Sequence, residues 1–252
     1  MTKYFYDTHK NFSLRTLSEY YISPGIKCKF DLLKKNVIKR RIYSYGIDLG
    51  SSGNSILSFL DNIKHKFFFD IAYVPLQQYI KEDKWHPLCG DLISLPYRDG
   101  IFDFVSALDV LEHINDDELA ISEISRILKK NGIAVITVPH RMKYYTTQDK
   151  IIGHYRRYEI NRILSLFKKF NLKNAKIFGV YGILMIISDI QSINPKKLED
   201  NLIKLRKKYE SSVGFRTFWN VIVRVLSMLM KLDAKYQPNK RIRNIGLIFT
   251  KK

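Results

Sequence analysis

Five short apolar runs in this chain each end on a polar side chain able to do chemistry: Asp48, Asp70, Asp91, Asp109 and His140. Four carboxylates gathered at one edge of a fold would repel a phosphate and suit a cationic ligand rich in hydroxyl and amino groups. Asp109 also opens the pattern D-x-x-E-H, with Glu112 and His113. Beyond His140 the chain is rich in His, Arg and Tyr, and "GHYRRY" at Gly153 to Tyr158 concentrates them. Arg156 and Arg157 carry forks that match a carboxylate or phosphate, and Tyr155 and Tyr158 could flank a ring. His113, His140 and His154 are candidate bases, because imidazole titrates near neutrality. Each residue also has a plainer reading. An acid can be a cap or a strand-end turn residue, a histidine can be packing, and an arginine pair can stitch a loop to the body.

Alternating strands and helices would bring these residues together. "IYSYGIDLG", "KFFFDIA", "WHPLCGDL", "FDFVSALDV" and "GIAVITVP" read as strands. "NSILSFLDNI", "PLQQYIKED", "DDELAISEISRILKK" and "EINRILSLFKKF" read as helices between or after them. Pro75 suits a first helical turn. The third helix has acids at its start and lysines at its end, as its dipole prefers. This rhythm predicts an α/β fold: a doubly wound, mostly parallel sheet with helices on both faces and ligands beyond the carboxyl ends of the strands. Residues 1–41 read as an amphipathic helical lid, and "RNIGLIFTKK" as a last strand returning to the sheet. Residues 42–252 then form one domain with a helical cap insertion at about 180–240.

The turn "GIDLGSSGN", Gly46 to Asn54, decides what the acids serve. A dinucleotide site needs G-x-G-x-x-G for close approach of a pyrophosphate, and this turn offers Gly50-Ser-Ser-Gly53. S-adenosylmethionine (AdoMet) carries a sulfonium and an ammonium and no phosphate. It needs one close backbone approach, an acid for its ribose hydroxyls and an acceptor for its adenine amino group. Asn54 is the substitution that best tolerates positive φ, and Ser52 adds a hydroxyl near the cofactor or a helix cap.

From about Tyr45 to Phe170 the sequence resembles the class I, seven-strand AdoMet-dependent methyltransferases, in particular their "type 11" small-molecule group. "GIDLGSSGNSILSFL" resembles the first motif of that family, "FFFDIA" its second-strand acid, and "CGDLISLPYRDGIFDFVSALDVLEHI" its third- and fourth-strand motifs. "SEISRILKKNGIAVITVP" is similar to the helix and strand that follow. The resemblance implies that Asp48 orients the loop, Gly50 lets the backbone pass the cofactor and Asp70 holds the ribose. It places Asp91 and Leu92 at the adenine, and Leu108 and Asp109 at the methionine end. "GHYRRY" is similar to a motif in members found among polysaccharide and lipid genes. D-x-x-E-H is similar to the E-x-x-E-H metal site of ubiquinone-pathway and small-RNA O-methyltransferases. The shorter Asp109 departs from that site, and "LEHI" also occurs in many relatives that use no metal. The expectation is a site without a metal, with Mg²⁺ or Mn²⁺ as the alternative.

Composition narrows the partners. The formal net charge is +19, and from Lys168 to Lys252 there are 19 Lys and Arg against five Asp and Glu. A basic third points to an anionic partner, a membrane surface or a nucleic acid, or else to a solvated lysine-rich face. Two cysteines, Cys28 and Cys89, build no disulfide framework and fit a reducing, cytoplasmic compartment. The N-terminus lacks a signal-like apolar region, and no uninterrupted apolar run has the length of a membrane span. In "VGFRTFWNVIVRVLSMLMKL", Arg216, Asn220, Arg224 and Lys231 form one polar stripe. The leading expectation packs the apolar side of this helix on the domain with the stripe outward, and the alternative lays it in a membrane interface. The function expected is methyl transfer to a small, glycan or lipid-linked acceptor, at oxygen. Nucleic-acid methylation and a non-catalytic AdoMet-binding scaffold are the alternatives.

Overall fold

The computed structural model describes residues 16–37, 41–80, 83–186 and 195–252. The readings made for residues 1–15, 38–40, 81–82 and 187–194 lie outside them. Two N-terminal helices, α1 (Glu19–Ile22) and α2 (Pro24–Val37), precede β1 (Tyr43–Leu49) and β2 (Ile63–Asp70). Then come α3 (Tyr73–Leu76), β3 (Trp85–Cys89), β4 (Phe102–Leu108), α4 (Asp117–Ile127) and β5 (Leu128–Pro139). The chain closes with α5 (Thr147–Ile151), α6 (Ile160–Lys169), β6 (Leu172–Tyr181), α7 (Pro195–Ser211), α8 (Val213–Tyr236) and β7 (Asn244–Lys251).

The seven strands form one sheet in the order β3-β2-β1-β4-β5-β7-β6. β1 to β5 are parallel, and β7 runs antiparallel to both β5 and β6. The doubly wound expectation is borne out. The strand order reverses between β1 and β4, and the crevice past their carboxyl ends is where such sheets take ligands.

Each face has its own core. On one, Ala120, Ile121, Ile124 and Ile127 of α4, with Ile163 and Phe167 of α6, cover Ile47, Val105, Ala134 and Phe249. On the other, Phe30, Leu33 and Val37 of α2 pack with Ile56, Leu57, Leu76 and Tyr79 over Tyr43, Phe68, Phe104 and Val135. α2 is therefore a core helix as well as a cover, and the first crossover explains why. The stretch expected to be a helix, "NSILSFLDNI", makes a single 3₁₀ turn at Ile56–Phe59. The Ser55 hydroxyl accepts the Leu57 N–H, and Ser55 donates its own N–H to the Tyr79 hydroxyl. These bonds fix the start of the turn, which ends where Leu60 turns extended and bonds its N–H to the Leu57 carbonyl, and α2 covers the sheet that a longer helix would have covered.

Two other boundaries differ from expectation. α4 ends at Ile127, because Leu128 already pairs with Phe102 in the sheet, ahead of Gly132. The helix expected to open at Pro75 begins at Tyr73 and passes into a 3₁₀ turn at Gln77–Tyr79.

α8 reverses the leading expectation. Its inner side carries Val223, Ser227 and Ala234, with Asn220 bonded to Tyr209 and Lys231 bonded to Asp31. Its outer side exposes Phe218, Val221, Val225, Met228, Leu229 and Leu232. The polar stripe thus lies partly inward and the apolar face is bare. By length and composition this helix could cross a membrane, although no uninterrupted apolar run reaches that length.

Candidate functional site

The loop after β1 is built from carboxylate bonds. Asp48 is 3% exposed, accepting from the Ser55 hydroxyl at 2.6 Å and the Ser106 hydroxyl at 2.5 Å. Burial pushes its carboxyl up to about 6, although both hydroxyls and Lys29 pull the other way. Asp70, at the end of β2, accepts from the Ser52 N–H at 2.8 Å and the Ala72 N–H at 2.9 Å. Burial raises it as well, and the backbone donors hold it back. The Gly50 and Ser51 N–H groups donate to the Phe69 carbonyl, which fixes the turn to β2.

Gly50 has φ +71°, and a Cβ there would sit 2.4 Å from Cγ2 of Val110. Glycine is needed for the backbone conformation and for this contact. The left-handed residue expected at Asn54 is instead Ser52, at φ +46°. Ser55 is the residue that caps the following turn, a task also considered for Ser52. The Ser51 and Ser52 hydroxyls and the Asn54 side-chain oxygen are buried without hydrogen-bond partners. Such atoms ask for a polar ligand. Together with acids at the ends of β2 and β3, they fit a cofactor rich in hydroxyl and amino groups.

Asp91 is exposed just beyond β3, accepting the Ile93 N–H at 3.2 Å, while Leu92 is buried beside it. Leu108 ends β4 and is half-buried. Asp109 follows with φ +57°, bonded to Lys29 Nζ at 2.8 Å, the Thr137 hydroxyl at 2.9 Å and Asn244 Nδ2 at 2.7 Å. Burial would raise its carboxyl, but the Lys29 ammonium and these donors hold it at about 2. Lys29 thereby ties α2 to the mouth of the crevice. Nothing local in the sequence marks Lys29, Ser55 or Ser106 for these tasks. Their roles come from long-range packing.

Past Asp109, the 3₁₀ turn Leu111–His113 carries Glu112 and His113 towards the loop that holds His154. The two imidazoles meet edge to face with centroids 4.4 Å apart. His154 Nδ1 is 2.7 Å from Asp149 Oδ1, and Nε2 faces Glu112 Oε1 at 3.8 Å. Asp149 in turn receives two bonds from Arg157 and closes a capping box with Thr146. Its carboxyl stays charged to unusually low pH, because bonds from His154 and Arg157 overcome the cost of burial. Glu112 is fully buried, and neither of its carboxylate oxygens has a hydrogen-bond partner. Burial and the nearby Asp109 charge raise it well above its ordinary range. Burial and His154 push His113 down to about 3. Asp149 thus joins His154 and Arg157. The T-x-x-D spacing from Thr146 marks it only as a cap.

Of the three candidate bases, His113 and His154 come together and His140 stands apart. His140 Nδ1 lies 2.8 Å from the Tyr158 carbonyl oxygen, in a cleft lined by Arg141, Glu159 and Asn161. The "GHYRRY" side chains mostly hold the protein together. Arg156 pairs with Asp117 at 2.7 Å, the Arg157 fork is taken by Asp149, and the buried Tyr158 hydroxyl donates to Asp117 at 2.9 Å. Tyr155 has the exposed ring of the four. The D-x-x-E-H pattern also divides, because Asp109 turns towards Lys29 while Glu112 and His113 join His154.

With this geometry in view, comparison with known proteins is decisive. The family described as "Methyltransferase domain" matches residues 47–136, from β1 to β5. The chain carries a class I, Rossmann-like methyltransferase domain. A probable S-adenosylmethionine-dependent methyltransferase of Mycolicibacterium smegmatis is 29% identical over 72 residues, 29% of this chain and 28% of that protein. Norajmaline N-methyltransferase of Rauvolfia serpentina is 38% identical over 53 residues, 21% of this chain and 18% of that protein. These matches span less than a third of each curated relative's length. Among solved structures, phosphoethanolamine N-methyltransferase 2 of Haemonchus contortus, bound to S-adenosyl-L-methionine, superposes with a TM-score of 0.63 at 15% identity. That match covers 99% of this chain and 59% of the other. That likeness shows the fold.

Proposed function

We propose that the protein is an AdoMet-dependent methyltransferase that works at an anionic membrane surface on a lipid-linked acceptor, at oxygen. The observation that carries this reading is the bare apolar face of α8, with Arg224 and Lys235 exposed along the same helix and Lys207 and Lys208 on α7 before it. An exposed apolar stripe with flanking cations is the pattern of a helix lying in the headgroup boundary. Arg224 at mid-helix and the inward bonds of Asn220 and Lys231 favour that position over a span. Nucleic-acid methylation draws on the same charge but gives no use to the apolar face.

AdoMet supplies an electrophilic methyl group, and sulfur keeps the electron pair of the broken bond. The task of the protein is alignment and exclusion of water, worth up to ~7–11 kcal/mol in ideal cases. Asp70, the Ser51 hydroxyl and the Asn54 side chain would hold the cofactor from the β1–β2 side, and Asp91 and Leu92 from the adenine side. A hydroxyl acceptor must also lose its proton, and the His154 imidazole beyond β4, oriented by Asp149 at 2.7 Å, would receive it. Such a base contributes roughly 10²–10⁴-fold.

The test is flotation with vesicles containing phosphatidylserine. The protein should float with them, less so as salt rises, and Phe218→Glu with Leu229→Glu should remain below. No flotation at low salt would overturn the reading. So would a dimer that the double variant splits, because a second copy would then be what covers α8.

A further inference from the structure

His140 is the candidate base that the acceptor end leaves unused. It is 2% exposed and lines a cleft of about 160 Å³ past the carboxyl end of β5, with Arg141, Glu159, Ile160, Asn161 and Asn239. Its Nδ1 stands 2.8 Å from the Tyr158 carbonyl oxygen, which can only accept. The proton therefore sits on Nδ1, and Nε2 presents a lone pair. Burial lowers the pKa of this imidazole and favours its neutral form. Among the described residues, Nε2 has no hydrogen-bond partner.

Arg141 shows the complementary need. Its Nε is buried without a hydrogen-bond partner, because Glu159 Oε1 stands at 3.8 Å. Its backbone is held at φ +66° while its N–H donates to the Tyr158 carbonyl, a conformation that strains an arginine and not a glycine. The N-terminus of α6 lies at the same cleft. Glu159 is its N-cap residue, yet the Glu159 side chain makes no capping bond. A helix start left open in this way favours an anion. Glu159 is the single acid lining the cleft. Lys143 follows Arg141 closely, and Lys240, Arg241 and Arg243 follow Asn239.

We propose that this cleft binds a hydroxylated ring bearing a phosphate, either a soluble sugar phosphate or a lipid headgroup of that chemistry. Arg141 and the start of α6 take the phosphate. His140 Nε2 and the Glu159 carboxylate accept from ring hydroxyls, and Asn161 and Asn239 offer both a donor and an acceptor to the others. Inorganic phosphate alone leaves the two acceptors unused, and a neutral sugar leaves Arg141 unmet. Ligand pockets commonly run to roughly 300–1,000 Å³, so this cleft suits one ring and not a chain. Its place in the fold suits a headgroup as well. Asn239 follows closely on Tyr236, the last residue of α8, so a membrane-bound α8 would bring the cleft to the lipid surface. The lipid source rests on the membrane reading of α8, whereas the ligand chemistry does not.

The experiment titrates the full chain by calorimetry with glucose 1-phosphate, mannose 1-phosphate and myo-inositol 1-phosphate, beside glucose and inorganic phosphate. At least one ring phosphate should bind tenfold or more tightly than glucose and inorganic phosphate. Arg141→Gly relieves the backbone and removes the fork, so it should fold and lose that preference. His140→Asn keeps a donor for the Tyr158 carbonyl and removes the free lone pair. It should weaken the ring phosphate roughly tenfold and leave inorganic phosphate unchanged. Phe218→Glu with Leu229→Glu should bind the ring phosphate as the wild type does, which separates this site from the membrane reading. Flotation then tells the two sources apart. Stronger flotation with phosphatidylinositol than with phosphatidylserine vesicles of equal charge, lost in Arg141→Gly, identifies the lipid headgroup, and equal flotation identifies the soluble ligand. The proposal is overturned if no ring phosphate binds, if inorganic phosphate binds as tightly, or if folded Arg141→Gly binds unchanged.

Discussion

The two ends of the crevice treat their buried acids in opposite ways. At the cofactor end, Asp48, Asp70 and Asp109 each accept at least two hydrogen bonds from the protein. At the acceptor end, Glu112 is fully buried, deeper than the partly exposed Asp109, and accepts none. The first set is architecture: it fixes the β1–β2 loop, the β1–β4 seam and the seat of α2. What the cofactor end leaves open is a trio of smaller polar atoms, on Ser51, Ser52 and Asn54. The acceptor end leaves open a carboxyl group that burial and Asp109 push towards its neutral form. An unsatisfied buried hydroxyl is costly, and a lone buried carboxylate costs far more and asks for a cation or a proton.

The sharpest way to break the cofactor half of this contrast is Gly50→Val. The new side chain would meet stiff, β-branched Val110 at 2.4 Å and force a positive φ on a branched residue. AdoMet binding should be abolished while the sheet still folds. Calorimetry and circular dichroism on the same sample check both. Normal affinity would mean that the loop does not cradle the cofactor.

A middle-sized effect separates the acids by the sign of their response to pH. Asp109 is held at about 2, below its ordinary value of ~3.9. A carboxyl depressed by folding adds stability above its unfolded value and loses it as pH falls through the folded one. The loss should run from about pH 4 to 2 and amount to roughly 2 kcal/mol. Asp48, raised to about 6, has the opposite sign. Its contribution is fully present below ~4 and is lost as pH rises through about 6. Urea unfolding across this range should show Asp109→Asn flattening the acid side and Asp48→Asn flattening the neutral side.

The smallest effect concerns Ser52. With φ at +46° it bears a left-handed strain that glycine would not. Ser52→Gly should stabilise the protein by up to ~1 kcal/mol and leave AdoMet affinity equal or stronger. Thermal unfolding and calorimetry read the two quantities. A large loss of affinity would instead assign the Ser52 hydroxyl to the cofactor.

Much of the fold was legible because period and punctuation are local. Asp48 and Asp70 stand in the last residues of β1 and β2, and Asp91 and Asp109 just past β3 and β4, as their sequence positions imply. Turns governed by distant partners were not legible. The turn expected to grow into a helix after Asn54 is anchored at Ser55 by Asp48 and Tyr79, the latter from beyond β2, and ends at an extended Leu60. Burial of α8 was misjudged because its amphipathic pattern looks the same whichever side faces the domain. Asp31, which receives Lys231, is 200 residues away in sequence. At the site, "GHYRRY" advertised its charges but not their partners. Arg157 is spent on Asp149, and the pairing of His154 with Glu112 joins loops that no spacing rule connects.

The central claim is that the crevice beyond β1 and β4 binds AdoMet, and titration of the folded protein by calorimetry tests it most directly. AdoMet and its demethylated product, S-adenosylhomocysteine, should each bind one per chain, and NAD should not bind. Asp70→Ala should weaken AdoMet by about 1.5–3 kcal/mol, the range for a charge-assisted hydrogen bond. Absence of AdoMet binding, or unchanged affinity in folded Asp70→Ala, would contradict the account.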